Sequence, residues 1–256
     1  MITKRGKGDF ARIYRPCRIS EVYGQEGITK IVGRGLDEGN LPYSMLFYGE
    51  SGVGKTTIAR IIAMGINCRP LSPTSEPCLE CDSCRQAMND NHFAFKQINS
   101  AELTGVDRIR RIVDDLCCAA MDDSKHKIVV FDECHRIWKP AQDLLLKVVE
   151  DNKQDNYFIL CTTEPKSVLE TLKNRCMPIQ FKPIEDQAMF DLLTDICESE
   201  RLVCPDEILE RVIEEAKGKA RIALYLLQKM AVSGEIESLP SAVDQAVNLV
   251  RAAFGR

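Results

Sequence analysis

The sequence has no apolar run long enough to cross a membrane and no signal-peptide pattern, since the opening Met1 to Arg5 leads into polar residues. Nothing in it predicts export or insertion, and a cytoplasmic protein is the expectation. It has no internal repeat and no low-complexity tract. It also lacks an excess of positive charge: 34 Lys and Arg stand against 38 Asp and Glu, a formal net charge of -4. A global nucleic-acid footprint is thereby excluded, so any DNA contact must come from a local basic face or from helix termini. What is present is enough apolar material for a real core. With 256 residues, 45% hydrophobic and 28% charged, the chain can hold one large domain, or one large and one small.

The residues Gly49 to Thr56, GESGVGKT, form a complete GxxxxGK[ST] phosphate loop. It follows the apolar run Met45 to Tyr48 and precedes a helix expected over 55–66, which is the strand, loop and helix order that phosphate binding requires. The glycines let successive N–H groups turn around phosphate oxygens, and the following helix adds its positive end. Gly49, Gly52, Val53, Gly54, Lys55, Thr56 and Thr57 are the expected nucleotide contacts. Lys55 is placed to reach the β- and γ-phosphates, and Thr56 to hold Mg²⁺ through its hydroxyl.

A second element, Lys127 to Glu133, reads as a buried parallel strand ending in two carboxylates. Asp132 is the expected second Mg²⁺ residue, and Glu133 the residue that polarises a water for attack on the γ-phosphate. Alone, such a pair is an ordinary strand-end turn; the upstream phosphate loop favours catalysis.

Twelve cysteines in a chain of this size with no export signal are expected to be reduced thiols. Cys117, Cys118, Cys134, Cys161, Cys197 and Cys204 sit in apolar surroundings, where a thiol acts as a small hydrophobe. Cys68, Cys78, Cys81 and Cys84 stand apart, flanking a Pro- and Ser-rich stretch. Four thiolates at these spacings suit a closed, structural tetrahedral Zn²⁺ site. An iron–sulfur cluster or a metal-free thiol group uses the same residues.

Alternating patterns place strands at 45–48, 95–98, 127–132, 157–162 and 178–181, and helices near 28–36, 105–120, 140–150 and 166–173. This order implies an α/β fold with a parallel sheet covered by helices on both faces. From about residue 184 the strands stop, and 186–200, 206–217 and 219–232 read as amphipathic helices, with a further helix expected over 241–254. The expected division is an α/β nucleotide-binding domain over 1–183 with the cysteine module at 68–84, a small helical lid over 184–234, and a tail over 235–256.

Taken together these residues resemble the bacterial DNA polymerase III clamp-loader ATPase subunit of the gamma/tau type, within the AAA+ ATPases. The resemblance runs from residue 10 to about 232. Its specific parts are Arg15-Pro16 with Gly24-Gln25-Glu26, the phosphate loop with four cysteines after its helix, and Asp132-Glu133. Thr162 to Pro165, Asn174-Arg175-Cys176 and Gly218 to Arg221 complete it. It implies an AAA+ P-loop fold with a zinc-binding insertion and a C-terminal helical lid. It also implies an oligomeric, ATP-driven machine that works with other loader subunits, opens a sliding clamp and places it on primed DNA.

By that resemblance Thr163 is the sensor-1 residue, with Thr162 as the neighbouring alternative, and Arg221 is sensor 2 on the lid. Arg175 is an arginine finger for the neighbouring subunit's site, although Asn174 stands where the family has Ser. Tyr14, Pro16, Val22 and Gly24 are adenine-pocket residues; Arg108, Arg110 and Arg111 face DNA; Lys147 and Glu150 contact the adjacent subunit. The tail over 235–256 corresponds to the start of a collar domain. Two other readings use the same residues. One is an adaptor that binds ATP and hydrolyses it poorly; the other is a helicase, prompted by Asp132 to His135, which ordinarily needs two motor domains.

Overall fold

The segments 45–47, 128–131 and 157–161 are apolar at every position rather than at alternate ones, so as strands they must bury both faces. In the computed structural model, which describes residues 4, 8–71, 73–88, 95–100, 126–152 and 155–233, they do. β1 (Ser44–Tyr48), β2 (Phe95–Asn99), β3 (Ile128–Asp132), β4 (Tyr157–Thr162) and β5 (Met177–Gln180) form one parallel sheet in the order β2-β3-β4-β1-β5. Met45, Phe47, Ile128, Val130, Ile159 and Cys161 face one hydrophobic core. Their immediate neighbours Leu46, Val129, Phe131, Phe158 and Leu160 face another.

The first of these cores is closed by α2 (Glu26–Asp37) and α3 (Lys55–Asn67). α3 is buried along almost its whole length because the sheet, α2 and the short α4 (Asp82–Met88) pack around it. The second core is closed by α5 (Lys139–Asp151) and α6 (Glu170–Lys173), through Ala141, Leu145 and Leu172. At about 2 kcal/mol for each fully buried large apolar side chain, the two faces together supply most of the drive to form this sheet.

A third core lies in the C-terminal half, among α7 (Asp186–Glu200), α8 (Asp206–Ala216) and α9 (Ala220–Ser233). Phe10, Ile13 and Tyr14 from the short N-terminal α1 (Phe10–Ile13) belong to this core as well. The lead-in thus packs first with the helices at the other end of the chain, then through Cys17, Ile19 and Val22 with the sheet core, and at Tyr23 again with the helices.

The observed strands match the expected ones to within a residue or so at each end. One expectation is corrected: no continuous helix spans 166–173. Pro165–Ser167 make a single turn, Val168 and Leu169 are extended, and α6 starts at Glu170. Val168 is drawn into the apolar core, and the Leu169 N–H is taken by the Gln142 side chain at 2.8 Å, so the backbone cannot stay helical there. The short helices α1 and α4 were not expected. The expected helices over 105–120 and 241–254, with Arg108, Arg110, Arg111, Cys117 and Cys118, lie outside the described residues. No helix among the described residues is long and apolar enough to cross a membrane.

Sheet and lid helices meet at Gly218. Its φ of +72° is left-handed, its carbonyl accepts from Ile184 N at 2.9 Å, and a Cβ there would stand 2.5 Å from Pro183 Cβ. Gly218→Ala is therefore expected to cost about 2 kcal/mol, from the left-handed penalty plus the clash. Urea unfolding of the variant beside the parent checks this, and an unchanged midpoint would refute it.

Candidate functional site

In parallel α/β sheets the carboxyl ends of the strands form the ligand-binding edge. Here β1, β4 and β3 lie side by side, so the phosphate loop after Tyr48, the residues after Thr162, and Asp132-Glu133 open onto one cleft. Gly49 begins the loop at φ +147°, with the Phe181 carbonyl oxygen only 2.3 Å from where a Cβ would stand. Any side chain there would push the loop away from the end of β5. Gly54 is left-handed and delivers the chain into α3 at Lys55.

Lys55 is buried and folds back on its own loop, its Nζ donating to Gly49 O at 2.8 Å and Glu50 O at 2.6 Å. Burial pulls its ammonium below the ordinary lysine value, and Arg221 adds to this while Asp132 opposes it. The Thr56 hydroxyl donates to Asp132 Oδ2 at 3.2 Å. This is the oxygen pair a hard divalent cation would need from the protein, and the donor set fits Mg²⁺. Asp132 Oδ1 accepts from Glu133 N at 3.0 Å, and Gln97 Nε2 lies 3.4 Å from Oδ2, so the carboxylate is oriented from two sides. Glu133 takes a left-handed φ of 51° that turns it off the strand; its half-exposed carboxylate pairs with Arg136 at 3.0 Å.

The two threonines at the end of β4 divide cleanly. Thr162 is fully buried, and its hydroxyl accepts from Glu164 N at 2.9 Å and meets His135 Nδ1 at 3.1 Å, so it holds the strand end together. Thr163 is exposed beside it and lines the cleft. Arg221, in the first turn of α9, stands over the loop: a Cβ on Gly52 would lie 3.5 Å from Arg221 Cβ. Next to it Lys219 pairs with Glu50 at 2.8 Å, a second link from the lid to the phosphate loop.

Of the expected base-binding residues, Tyr14, Pro16 and Val22 line the cleft. Gly24 does not; it packs behind the wall, against Ile184, and of the expected phosphate-loop contacts Gly49 also stays off the cleft lining. Arg175 is also away from the cleft, exposed, with its Nε donating to Glu150 at 3.0 Å. Several lining residues were not expected. Gln25 ties the lead-in to Val53 O and to Lys182 on both its carbonyl and its N–H. Tyr23, Ile184, Leu192 and Leu224 also line the cleft, the last three as lid residues whose sequence pattern says only that they are apolar.

The four cysteines set apart by their spacing converge. The sulfurs of Cys68, Cys78, Cys81 and Cys84 all lie within 4.8 Å of one another, with Cys78 and Cys84 at 4.0 Å. A Zn²⁺ tetrahedron with bonds of about 2.3 Å has sulfur–sulfur edges of about 3.8 Å, so the set fits that ion after a small contraction. Backbone N–H groups already point at the sulfurs, Cys78 N to Cys68 at 3.4 Å and Cys81 N to Cys78 at 3.3 Å. Burial works against the Cys78 thiolate, but the N–H groups of Cys81 and Glu80 overcome it and hold this thiol down at about 7. Burial pushes Cys68 and Cys84 up. Elsewhere Cys134, Cys161 and Cys197 are buried in apolar surroundings, as packing residues should be.

The model of the family described as DNA polymerase III, delta subunit, matches residues 24–185. The chain belongs to this family. Relatives within DNA polymerase III include the subunit tau of Bacillus subtilis, 36% identical over 233 residues, 91% of this chain and 41% of that one. The subunit tau of Escherichia coli is 31% identical over 251 residues, 94% of this chain and 39% of that one. The subunit gamma of Buchnera aphidicola is 32% identical over 218 residues, 85% of this chain and 60% of that one. The chain thus spans about two-fifths of the length of the two tau relatives. Among solved structures, the RuvB Holliday junction branch migration motor of Thermotoga maritima superposes with a TM-score of 0.67 at 19% identity, over 93% of this chain and 73% of that one. The fold of this DNA polymerase III family member is accordingly the AAA+ P-loop fold.

The convergence of the thiols yields a prediction. Elemental analysis of the purified protein should find close to one zinc per chain, and chelation or Cys81→Ser should lower the thermal midpoint by roughly 10 °C. Absence of metal together with an unmoved midpoint would leave the thiols as packing residues.

Proposed function

We propose that this chain is an ATP-binding and ATP-hydrolysing subunit of a clamp loader, helping to open a sliding clamp and place it on primed DNA during replication. The observation that carries the reading is the Thr56–Asp132 contact of 3.2 Å, which joins a complete phosphate loop to a catalytic carboxylate pair in a DNA polymerase III family member. The tau and gamma names of the relatives support the replication setting. The intact Lys55, Thr56, Asp132 and Glu133 favour turnover over a purely structural nucleotide.

In this reading the loop N–H groups and Lys55 hold the phosphates, with Lys55 exchanging its two carbonyl partners for phosphate oxygens. Thr56 and Asp132 hold Mg²⁺, which supplies charge neutralisation at the phosphates. Glu133 releases Arg136 and orients the attacking water, Thr163 senses the γ-phosphate, and Arg221 reports it to the lid. Tyr14, Pro16 and Val22 receive the base. The four cysteines hold a structural Zn²⁺ that fixes the segment after α3. The remaining partners are other loader subunits, the clamp and primed DNA, in the cytoplasm.

Arg175 suits a finger that works in trans. It is exposed and away from its own cleft, and Glu150, its present partner, is itself on the helix expected to meet the adjacent subunit. A guanidinium placed on a neighbour's γ-phosphate contributes roughly 10³ to 10⁵ in rate. Arg175→Ala is expected to leave nucleotide affinity intact and to remove at least a thousandfold of assembly-dependent turnover. Equal turnover in the variant would exclude the finger role.

The reading as a whole is tested by steady-state ATPase with partner subunits, clamp and primed DNA added in turn. Turnover should rise with assembly and again with primed DNA, and Glu133→Gln should lower it by roughly 10² to 10⁴ while ATP still binds. Tight ATP binding with no turnover in the complete assembly would instead support an adaptor.

A further inference from the structure

Two phenol side chains in the lead-in have the same arrangement. Tyr14 follows α1, its ring is buried and lines the cleft, and its hydroxyl donates to Glu200 Oε1 at 2.7 Å. Nine residues later the Tyr23 ring also lines the cleft, and its hydroxyl donates to Asp195 Oδ2. Both acceptors belong to α7, the first helix of the lid. Lys4 Nζ reaches both oxygens of Glu200, Oε1 at 2.7 Å and Oε2 at 2.9 Å. Burial works against the Glu200 carboxylate, yet Lys4 and Tyr14 keep it below the ordinary range, while burial and Glu200 push the Tyr14 phenol up. At neutral pH the pair is a phenol donating to a carboxylate, a charge-assisted bond about twice as strong as a neutral one.

Packing agrees with the hydrogen bonds. Phe10, Ile13 and Tyr14 share a core with Met189, Leu193 and Leu227 of the lid, and Phe10 N donates to Gln228 on α9 at 2.9 Å. Val22, between the two tyrosines, packs with the sheet core instead. The lead-in therefore spans both bodies, and its cleft-lining rings are fixed to the one that also carries Arg221.

We infer that Tyr14 and Tyr23 are positioning residues: their hydroxyl bonds to Glu200 and Asp195 latch the base-receiving wall of the cleft to the lid, so that wall and lid move together. This rests on the nucleotide reading above and deepens it. With Arg221 over the phosphate loop and the latched wall at the lead-in, one lid movement makes or breaks the contacts at both ends of the nucleotide. Base affinity then depends on two hydroxyls that need not touch the base, and phosphate affinity does not.

The test compares ATP with inorganic tripolyphosphate, titrated calorimetrically into the intact protein and into Tyr14→Phe, Tyr23→Phe and the double variant. Each ring is kept and only a hydroxyl is lost. The expected result is a rise in the ATP Kd of about threefold to tenfold per latch, with tripolyphosphate binding unchanged. Unchanged ATP affinity in the double variant would overturn the latch. So would equal weakening of both ligands, because that would mean a general loosening of the fold. A parent protein that binds neither ligand would overturn the phosphate-loop reading itself, and the latch with it.

Discussion

The parallel register of three strands governs everything else in this molecule. β4 lies between β1 and β3, pairing Tyr48 with Thr162 on one side and Leu160 with Phe131 on the other. Strands are spaced about 4.8 Å apart, so the phosphate loop and Asp132 leave the sheet about 10 Å from each other. That gap is closed by α3, which returns over the sheet and brings the Thr56 hydroxyl to 3.2 Å from Asp132. A slip of one residue in either pairing would exchange the two buried faces and turn Asp132 away, so the two cores that fix the register also fix the site.

The lead-in obeys a different constraint. It has no strand neighbour, and its placement comes from side chains and isolated backbone bonds. On the cysteine side Arg18 donates to Pro77 O at 3.1 Å, Ile19 N to Ser75 O at 3.2 Å, and Ser20 to Glu76 at 2.9 and 2.8 Å. Ser75 is in turn held by Asp37 of α2, at 2.8 and 3.0 Å. On the side of the C-terminal helices stand the two tyrosine bonds, one before and one after this stretch, and the apolar face of α1. A segment held this way is ordered only when the bodies on both sides are ordered, because each contact alone contributes about 1 kcal/mol.

How much of this was legible depended on whether chemistry or packing wrote it. The phosphate loop and the strand ending at Asp132 were readable because both need fixed residue types at fixed spacing, and the thiols because four cysteines so close together are rare. α1 and α4 were not: four and seven residues are too short for periodicity to register, and α4 lies amid cysteines whose spacing dominates the pattern. The break before α6 came from Gln142, distant in sequence, taking the Leu169 N–H. Tyr23 and Gln25 flank a glycine turn, and although Gln25 belongs to the Gly24-Gln25-Glu26 signature, nothing in the sequence near either residue names its partner. Their roles depend on Asp195 and Lys182, more than 150 residues away.

The lid residues show the same limit most sharply. Leu192 and Leu224 have the helix-period apolar pattern that signals a core, Ile184 stands just before α7, and all three share a core with α8 and α9, yet they also form part of the cleft wall. A lid built from a small helical core can offer a nucleotide an apolar surface without any residue type that marks it. The polar markers lie at its edges: Arg221 and Lys219 toward the loop, Asp195 and Glu200 toward the lead-in. Basic groups meet the loop and acidic groups meet the tyrosines, so the charges of the lid are sorted by what each edge must hold. The net charge of the chain, -4, conceals that sorting, and only the fold separates the two edges.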